Sequence, residues 1–228
     1  MMMKNSRVLL SVLAMSAFVV ACGNINDDSD PGEAMVRDAI ERHGETDSYY
    51  ERIATTIPGG HTSIFATWYV ETDDGISYRE DAYSGSQGLT RMVIYDGKGV
   101  TVYNDTQNAY YQFEEELPYE DRLAQSDLAA ELSVHLATSE LTLARETMVN
   151  GRAANHVVFS DEGERYEYWF DQETSYRIQE RQVGESGDTL RTVEDYTLGI
   201  NYDDDVFTLS EEFLEGVSER SGRPENWN

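Results

Sequence analysis

The side chains able to do chemistry in this chain are few and scattered along its 228 residues. The histidines, His43, His61, His135 and His156, include no pair at the spacing by which a helix or hairpin gathers zinc ligands. The acidic runs Asp73-Asp74 and Asp203-Asp204-Asp205 lack the spaced oxygen ligands and the glycine of a calcium loop, so they read as solvated turns. Serines are plentiful, but no Gly-x-Ser-x-Gly elbow holds one as a nucleophile. Adjacent acids such as Glu114-Glu115 arise by chance among 44 Asp and Glu residues and do not mark a general acid and base. The expectation is a binding protein rather than an enzyme, with no metal and no cofactor. One reactive group stands apart: the sole cysteine, Cys22.

Cys22 follows directly on the apolar run Val8 to Ala21, which is preceded by Lys4 and Arg7 and ends in small residues. That order of basic, apolar and small is a secretory signal peptide. At 1.5 Å per residue the run covers roughly 21 Å of helix, short of the ~30 Å needed to span a bilayer. Val19-Val20-Ala21-Cys22-Gly23 resembles the lipobox of prokaryotic lipoproteins. The resemblance implies cleavage before Cys22, a diacylglycerol thioether on its sulfur, and an extracytoplasmic protein anchored to a membrane on the periplasmic or cell-surface side. With no second cysteine there is no disulfide. The expected organisation is a signal peptide over 1–21, the lipidated cysteine and a polar tether over 22–30, one domain over 31–215, and a loosely ordered tail over 216–228.

The formal net charge is −27, from 17 Lys plus Arg against 44 Asp plus Glu. Such a surface repels nucleic acid and anionic headgroups. Lys4 and Lys98 are the only lysines, so the basic complement is almost all guanidinium, which is less strongly hydrated than ammonium. An acid excess with so little lysine resembles the surface of a protein from a halophile, in which concentrated salt suppresses self-repulsion.

The elements that would carry a binding site are legible by period. Asp30 as N-cap, Pro31, Glu33 and Gly44 bracket a helix whose stripe is Met35, Val36, Ala39, Ile40 and His43. Beyond Gly44 the period becomes two. Ile64 to Val70 and Ile76 to Ala82 form a hairpin around Asp73-Asp74-Gly75, and Thr90 to Asn104 forms another around Asp96-Gly97. Ala109 to Phe113 is a short strand, and Pro118 opens a second helix with Leu128, Leu132 and Leu136 on its apolar stripe. Five alternating segments follow between Glu140 and Leu198. The fold class is mostly β: a curled antiparallel sheet or incomplete β-barrel of about ten strands, with two or more helices lidding the concave face and a polar outer face.

Tyr95-Asp96-Gly97-Lys98, Tyr103, the helical insert, Asn150-Gly151-Arg152, Tyr168-Trp169-Phe170-Asp171 and Asp203-Asp204-Asp205-Val206-Phe207 together resemble, in order, the features of the LolA and LolB lipoprotein carriers and the related sensor RseB. The resemblance implies an incomplete barrel lidded by helices around a cavity for acyl chains. It makes Asp96, Gly97, Lys98 and Asp171 turn residues, Phe207 a core residue, and Arg79 the candidate for the arginine that steadies the lid. The partners it implies are a lipid or acyl chain, the membrane through the anchor, and a membrane or lipoprotein partner. Strand alternation selects Ile64, Trp68, Tyr78, Met92, Ile94 and Trp169 as candidate ligand contacts in an apolar trough. The competing reading is an RseB-like interaction or sensor module with no permanent ligand.

Overall fold

The computed structural model describes residues 30–73, 75–85, 88–114, 128–161 and 163–224. The signal peptide, Cys22, most of the tether, Asp74 and the Pro118 helix start lie outside the described residues. Among the described residues no helix is long and apolar enough to cross a membrane.

Helix α1 (Pro31–Gly44) starts as its sequence dictates: the Asp30 carboxylate accepts from Gly32 N at 2.8 Å, with Pro31 in the first turn. Glu33 instead accepts from Arg37, one turn on. Twelve strands follow, β1 (Ser48–Thr56), β2 (Thr62–Thr72), β3 (Gly75–Ser84), β4 (Gly88–Tyr95), β5 (Val100–Asn104), β6 (Ala109–Phe113), β7 (Glu140–Val149), β8 (Arg152–Asp161), β9 (Glu164–Asp171), β10 (Arg177–Gly184), β11 (Gly187–Leu198) and β12 (Ser218–Ser221). Helix α2 (Leu128–Thr138) lies between β6 and β7, and the one-turn α3 (Glu211–Leu214) precedes β12.

All twelve strands form one open sheet in the order β12-β6-β5-β4-β3-β2-β1-β11-β10-β9-β8-β7. Two meanders are joined through the β1–β11 pair, and every pairing is antiparallel except β12 with β6. Bulges at Arg52/Ile53, Ala82/Tyr83, Leu141/Leu143 and Arg177/Gln179 interrupt the ladders and help the sheet curl. Two strands exceed the expected count. β1 carries Glu51 and Arg52 at its centre and shows little apolar alternation, and β12 comes from the segment read as a loose tail. Its Ser218 N donates to Asn108 O at 3.0 Å.

The expected turns form. Asp96 Oδ1 accepts from Lys98 N and Gly99 N, with Gly97 at φ 83°, and Asp171 Oδ1 accepts from Glu173 N and Thr174 N.

Each sheet face is covered over part of its width, by different means. On the inner face α1 and α2 pack Val36, Ala39, Leu128 and Leu132 against Val157, Phe159, Tyr168 and Phe170 of β8 and β9. At the other end of that face, Tyr78, Val93, Tyr95, Val100 and Val102 cluster with Tyr69 and Phe113. The outer face of β2–β5 is covered rather than wet. Met92, Ile94 and Tyr103 are buried there beneath Phe207, with Tyr202, Val206, Leu209, Phe213 and Val217 from the C-terminal segment packed around them. Arg79 pins that segment: it grips Asp81 through two hydrogen bonds of 2.9 and 2.8 Å and donates to Val206 O at 2.9 Å. Phe207 is a core residue, and Arg79 steadies this outer cover.

Candidate functional site

Between the helix-packed and tyrosine-rich ends of the inner face lies an open trough of about 710 Å³. Its wall is built by β1, β2 and β3, whose inward residues fall in register. Tyr49 pairs with Tyr69, Tyr69 with Tyr78 and Tyr78 with Tyr95, so four tyrosines run across four strands in one row. Tyr49 and Tyr69 stack at 5.2 Å. The next inward row is Glu51, Thr67 and Glu80, and the row beyond it carries Ile53 and Phe65. Glu71 and Ile76 pair at the tyrosine end. His43 of α1, Leu128 of α2, and Tyr176, Arg177 and Arg191 also line it.

The trough is aromatic and charged rather than uniformly apolar. Arg177, with 13% of its side chain exposed, lies between Glu180 at 3.0 Å and Glu51 at 3.7 Å. Burial alone would lower its pKa, but Glu51 and Glu180 push it up and hold the guanidinium charged. Arg191 donates to Glu180 at 2.8 Å, and Tyr176 donates to Glu51 at 2.9 Å. Burial and then the Glu51 charge push the Tyr176 hydroxyl well above its usual value. Glu80 accepts from Tyr78 and Arg91, and Glu71 from the Tyr69 hydroxyl. His43 accepts the Arg177 N–H and stacks on Tyr176. Its pKa is pulled down to about 3 by burial and then by Arg177 and Arg42.

Of the six candidate contacts taken from strand alternation, only Tyr78 lines the trough. Trp68, Met92 and Ile94 belong to the outer cluster beneath the C-terminal segment. Ile64 alternates with the trough-lining Phe65 and so shares the outward phase of β2. Trp169 stacks on His156 at 4.2 Å, on the face opposite Tyr168. The phase expected for β2 and β4 is thus displaced by one residue, because the most apolar stripe meets the C-terminal cover. Thr67 points into the trough while Trp68 points away. Among the inward residues that sequence left unmarked are Tyr49, Glu51, Phe65, Thr67, Tyr69, Arg177 and Arg191. The signal that could have found those on β1 and β2 was the tyrosine in each of the first four strands; Arg177 and Arg191, on β10 and β11, carried no such signal.

The remaining histidines are dispersed. His61 lies at a turn, His135 packs beside Phe159 and Tyr166, and the buried His156 meets Glu167 at 3.0 Å.

No family model and no curated protein matches the chain. Solved structures do. MucB of Pseudomonas aeruginosa, in a complex with MucA, is similar over 80% of this chain and 62% of its own, at TM-score 0.51 and 16% identity. LprF from Mycobacterium bovis is similar over 76% of this chain and 96% of its own, at TM-score 0.52 and 8% identity. The chain has a LolA/LolB/RseB-like fold. An uncharacterized conserved protein from Thermus thermophilus is similar over 83% of this chain and 99% of its own, at TM-score 0.52 and 10% identity. The chain spans somewhat less than two thirds of the MucB length.

Proposed function

We propose that this LolA-like protein is an extracytoplasmic lipoprotein that holds an acyl chain or another hydrophobic ligand in the inner trough, and that Cys22 anchors it to a membrane by its own lipid. The observation that carries the reading is the trough itself, about 710 Å³ left open between two packed clusters on one sheet face. A space of that size falls within the range of ligand sites. The lining aromatics Tyr49, Phe65, Tyr69 and Tyr78 offer apolar area to a chain, and the polar groups orient it. A role as a lipid or lipoprotein carrier accords with the fold. No catalytic role is assigned.

Two measurements test this. Native mass spectrometry after mild extraction is expected to show a co-purifying lipid. The neutral probe N-phenyl-1-naphthylamine is expected to bind, and Thr67→Trp, which fills the trough, to abolish its signal. Thr197→Trp, which adds the same ring on the outward side of β11, is expected to leave it unchanged. Absence of both lipid and probe binding, or equal effects of the two substitutions, overturns the reading.

A second reading is favoured by the charged floor of the trough, where Glu51, Arg177, Glu180 and Arg191 are paired. In that reading the protein is an interaction or sensor module that docks a membrane or lipoprotein partner, and the similarity to MucB, solved in complex with MucA, is its support.

A further inference from the structure

We infer that the ligand is an amphiphile with a carboxylate head, and that the open edge of the Arg191 guanidinium holds that head at the Thr55 end of the trough; this rests on the trough reading above. Register places Arg191 opposite Thr55, Thr55 opposite Ser63 and Ser63 opposite Ser84. One guanidinium and three hydroxyls therefore cross four strands in a single inward row. Thr55 and Arg191 line the trough, and the adjacent row toward its middle carries Ile53 and Phe65. A polar head site and the start of an apolar path thus adjoin.

The donors of this row are uncommitted. Among the described residues only Nη1 of Arg191 holds a partner, Glu180 at 2.8 Å, and with 44% of the side chain exposed its Nε–Nη2 edge is open. Two parallel N–H groups on one edge match the two oxygens of a carboxylate. Among the described residues the hydroxyls of Thr55, Ser63 and Ser84 hold no hydrogen bond, and each can donate to an oxygen. Glu180 does not cancel Arg191, because it also meets Arg177. The row on the far side, Gln182 and Thr189, is uncharged. Glu80 and Glu71 lie toward the tyrosine end, two rows or more from Arg191, at least about 13 Å along the strands. The tyrosines need no vacancy in this arrangement. Tyr69 and Tyr78 already donate to Glu71 and Glu80, and Tyr49 stacks on Tyr69, so their rings give an alkyl chain apolar surface only. A chain lying over Ile53 and Phe65 with its head at Arg191 meets donors with its carboxylate. An ammonium head in that place faces like charge, and a sugar head gives the guanidinium no charge to pair with. The overall negative field opposes an anion at a distance that salt removes, whereas the open edge acts at contact.

The experiment is displacement of N-phenyl-1-naphthylamine by matched twelve-carbon amphiphiles below their micellar concentrations, at pH 8 and in 1 M NaCl so that the overall charge of −27 is screened. Dodecanoate is expected to displace the probe at about one tenth of the dodecyl maltoside concentration, and dodecyltrimethylammonium to require more than the maltoside. Acetate, the same head without a chain, is expected not to displace it, which places the carboxylate on an amphiphile rather than on a free acid. Arg191→Gln is expected to bring dodecanoate to parity with the maltoside while maltoside binding, the check on folding, stays constant. Arg191→Lys keeps the charge without the two-pronged edge and is expected to recover only part of the preference. Thr55→Val, which keeps the shape and removes one donor, is expected to lower the preference to about threefold. Arg37→Gln removes the same charge on the exposed side of α1, outside the trough lining, and is expected to leave the preference intact. The inference is overturned if the maltoside or the ammonium chain competes as well as dodecanoate, or if acetate alone displaces the probe. It is overturned equally if the preference survives both Arg191→Gln and Thr55→Val, or falls as far in Arg37→Gln and so belongs to the general field. Failure of probe and chains alike to bind overturns the trough reading, and this inference with it.

Discussion

The main-chain N–H of Arg177 donates to Nε2 of His43 at 3.1 Å, joining the last turn of α1 to the first residue of β10. Nε2 accepts only in the neutral ring, so the fold keeps the proton on Nδ1. Burial, Arg177 and Arg42 all oppose protonation and pull the pKa down to about 3.

That relationship makes stability depend on pH with a definite sign. Between about 6.5 and about 3 the unfolded chain binds a proton at this histidine that the folded chain refuses, so stability is lost as pH falls through that window. From pH 6.5 to 5 the loss from His43 approaches about 2 kcal/mol. His43→Gln keeps an acceptor for Arg177 and cannot titrate. Denaturant midpoints at pH 7 and pH 5 are expected to differ by less in the variant than in the parent, and equal differences would remove His43 as the cause.

Asp81 is buried and held by two hydrogen bonds from Arg79, which also donates to Val206 O. Arg79→Met strands a buried carboxylate and frees the C-terminal cover, at a cost of about 3 kcal/mol. Pairing it with Asp81→Leu is expected to recover part of that loss in urea unfolding. Proteolysis near residues 202–217 should rise in both, because the Val206 tether is missing in both.

Gly32 begins α1 against β7: a Cβ built there lies 2.7 Å from Leu141 Cδ2 and 2.8 Å from Ala144 Cβ. Leu141 can rotate away, but the Ala144 methyl cannot. Gly32→Ala should therefore lower stability by about 1–3 kcal/mol in spite of the better helix propensity of alanine. Adding Ala144→Gly should restore part of it, which thermal unfolding of the single and double variants will show.

The local features were readable because local chemistry decides them. The Asp30 cap, the Asp96-Gly97 and Asp171 turns, and the alternation of β7 to β9 each depend on neighbours within a few residues. The site was less readable because it depends on what covers each face. Alternation along β2 separates Ile64, Trp68 and Val70 from Phe65, Thr67 and Tyr69, but nothing inside the strand says that the more apolar set meets Phe207 and Phe213 instead of a ligand. β1 was hidden for a related reason. Glu51 is satisfied by Tyr176 and Arg177, more than a hundred residues away, so its position reads as polar while the side chain is buried.

Anchoring makes a separate claim. If Cys22 carries lipid, Cys22→Ser will release the protein from the membrane fraction or leave it at the mass of the unprocessed chain. A variant that remains both processed and membrane-bound would show that something other than this sulfur holds it.

The arrangement of arginines sharpens an expectation that composition alone supplies. Arg165 and Arg181 both approach Glu167, Arg177 and Arg191 both approach Glu180, and Arg79 is spent on Asp81. Cations thus converge on a few buried carboxylates, and with 44 Asp plus Glu against 17 Lys plus Arg the exposed acids are left with little compensation. Unfolding relieves that repulsion. At 0.01 M salt the screening length is about 30 Å, comparable to the domain, and at 1 M it is about 3 Å, shorter than most spacings between surface carboxylates. The buried pairs respond little, because ions do not reach them. The Tm of the domain lacking residues 1–22 is therefore expected to rise steeply between dilute buffer and molar KCl. The Arg79→Met loss, which belongs to a buried pair, should stay nearly constant across the same series. A Tm flat in salt would show that the surface acids are spaced widely enough not to oppose folding, and the halophilic reading of the composition would fall with it.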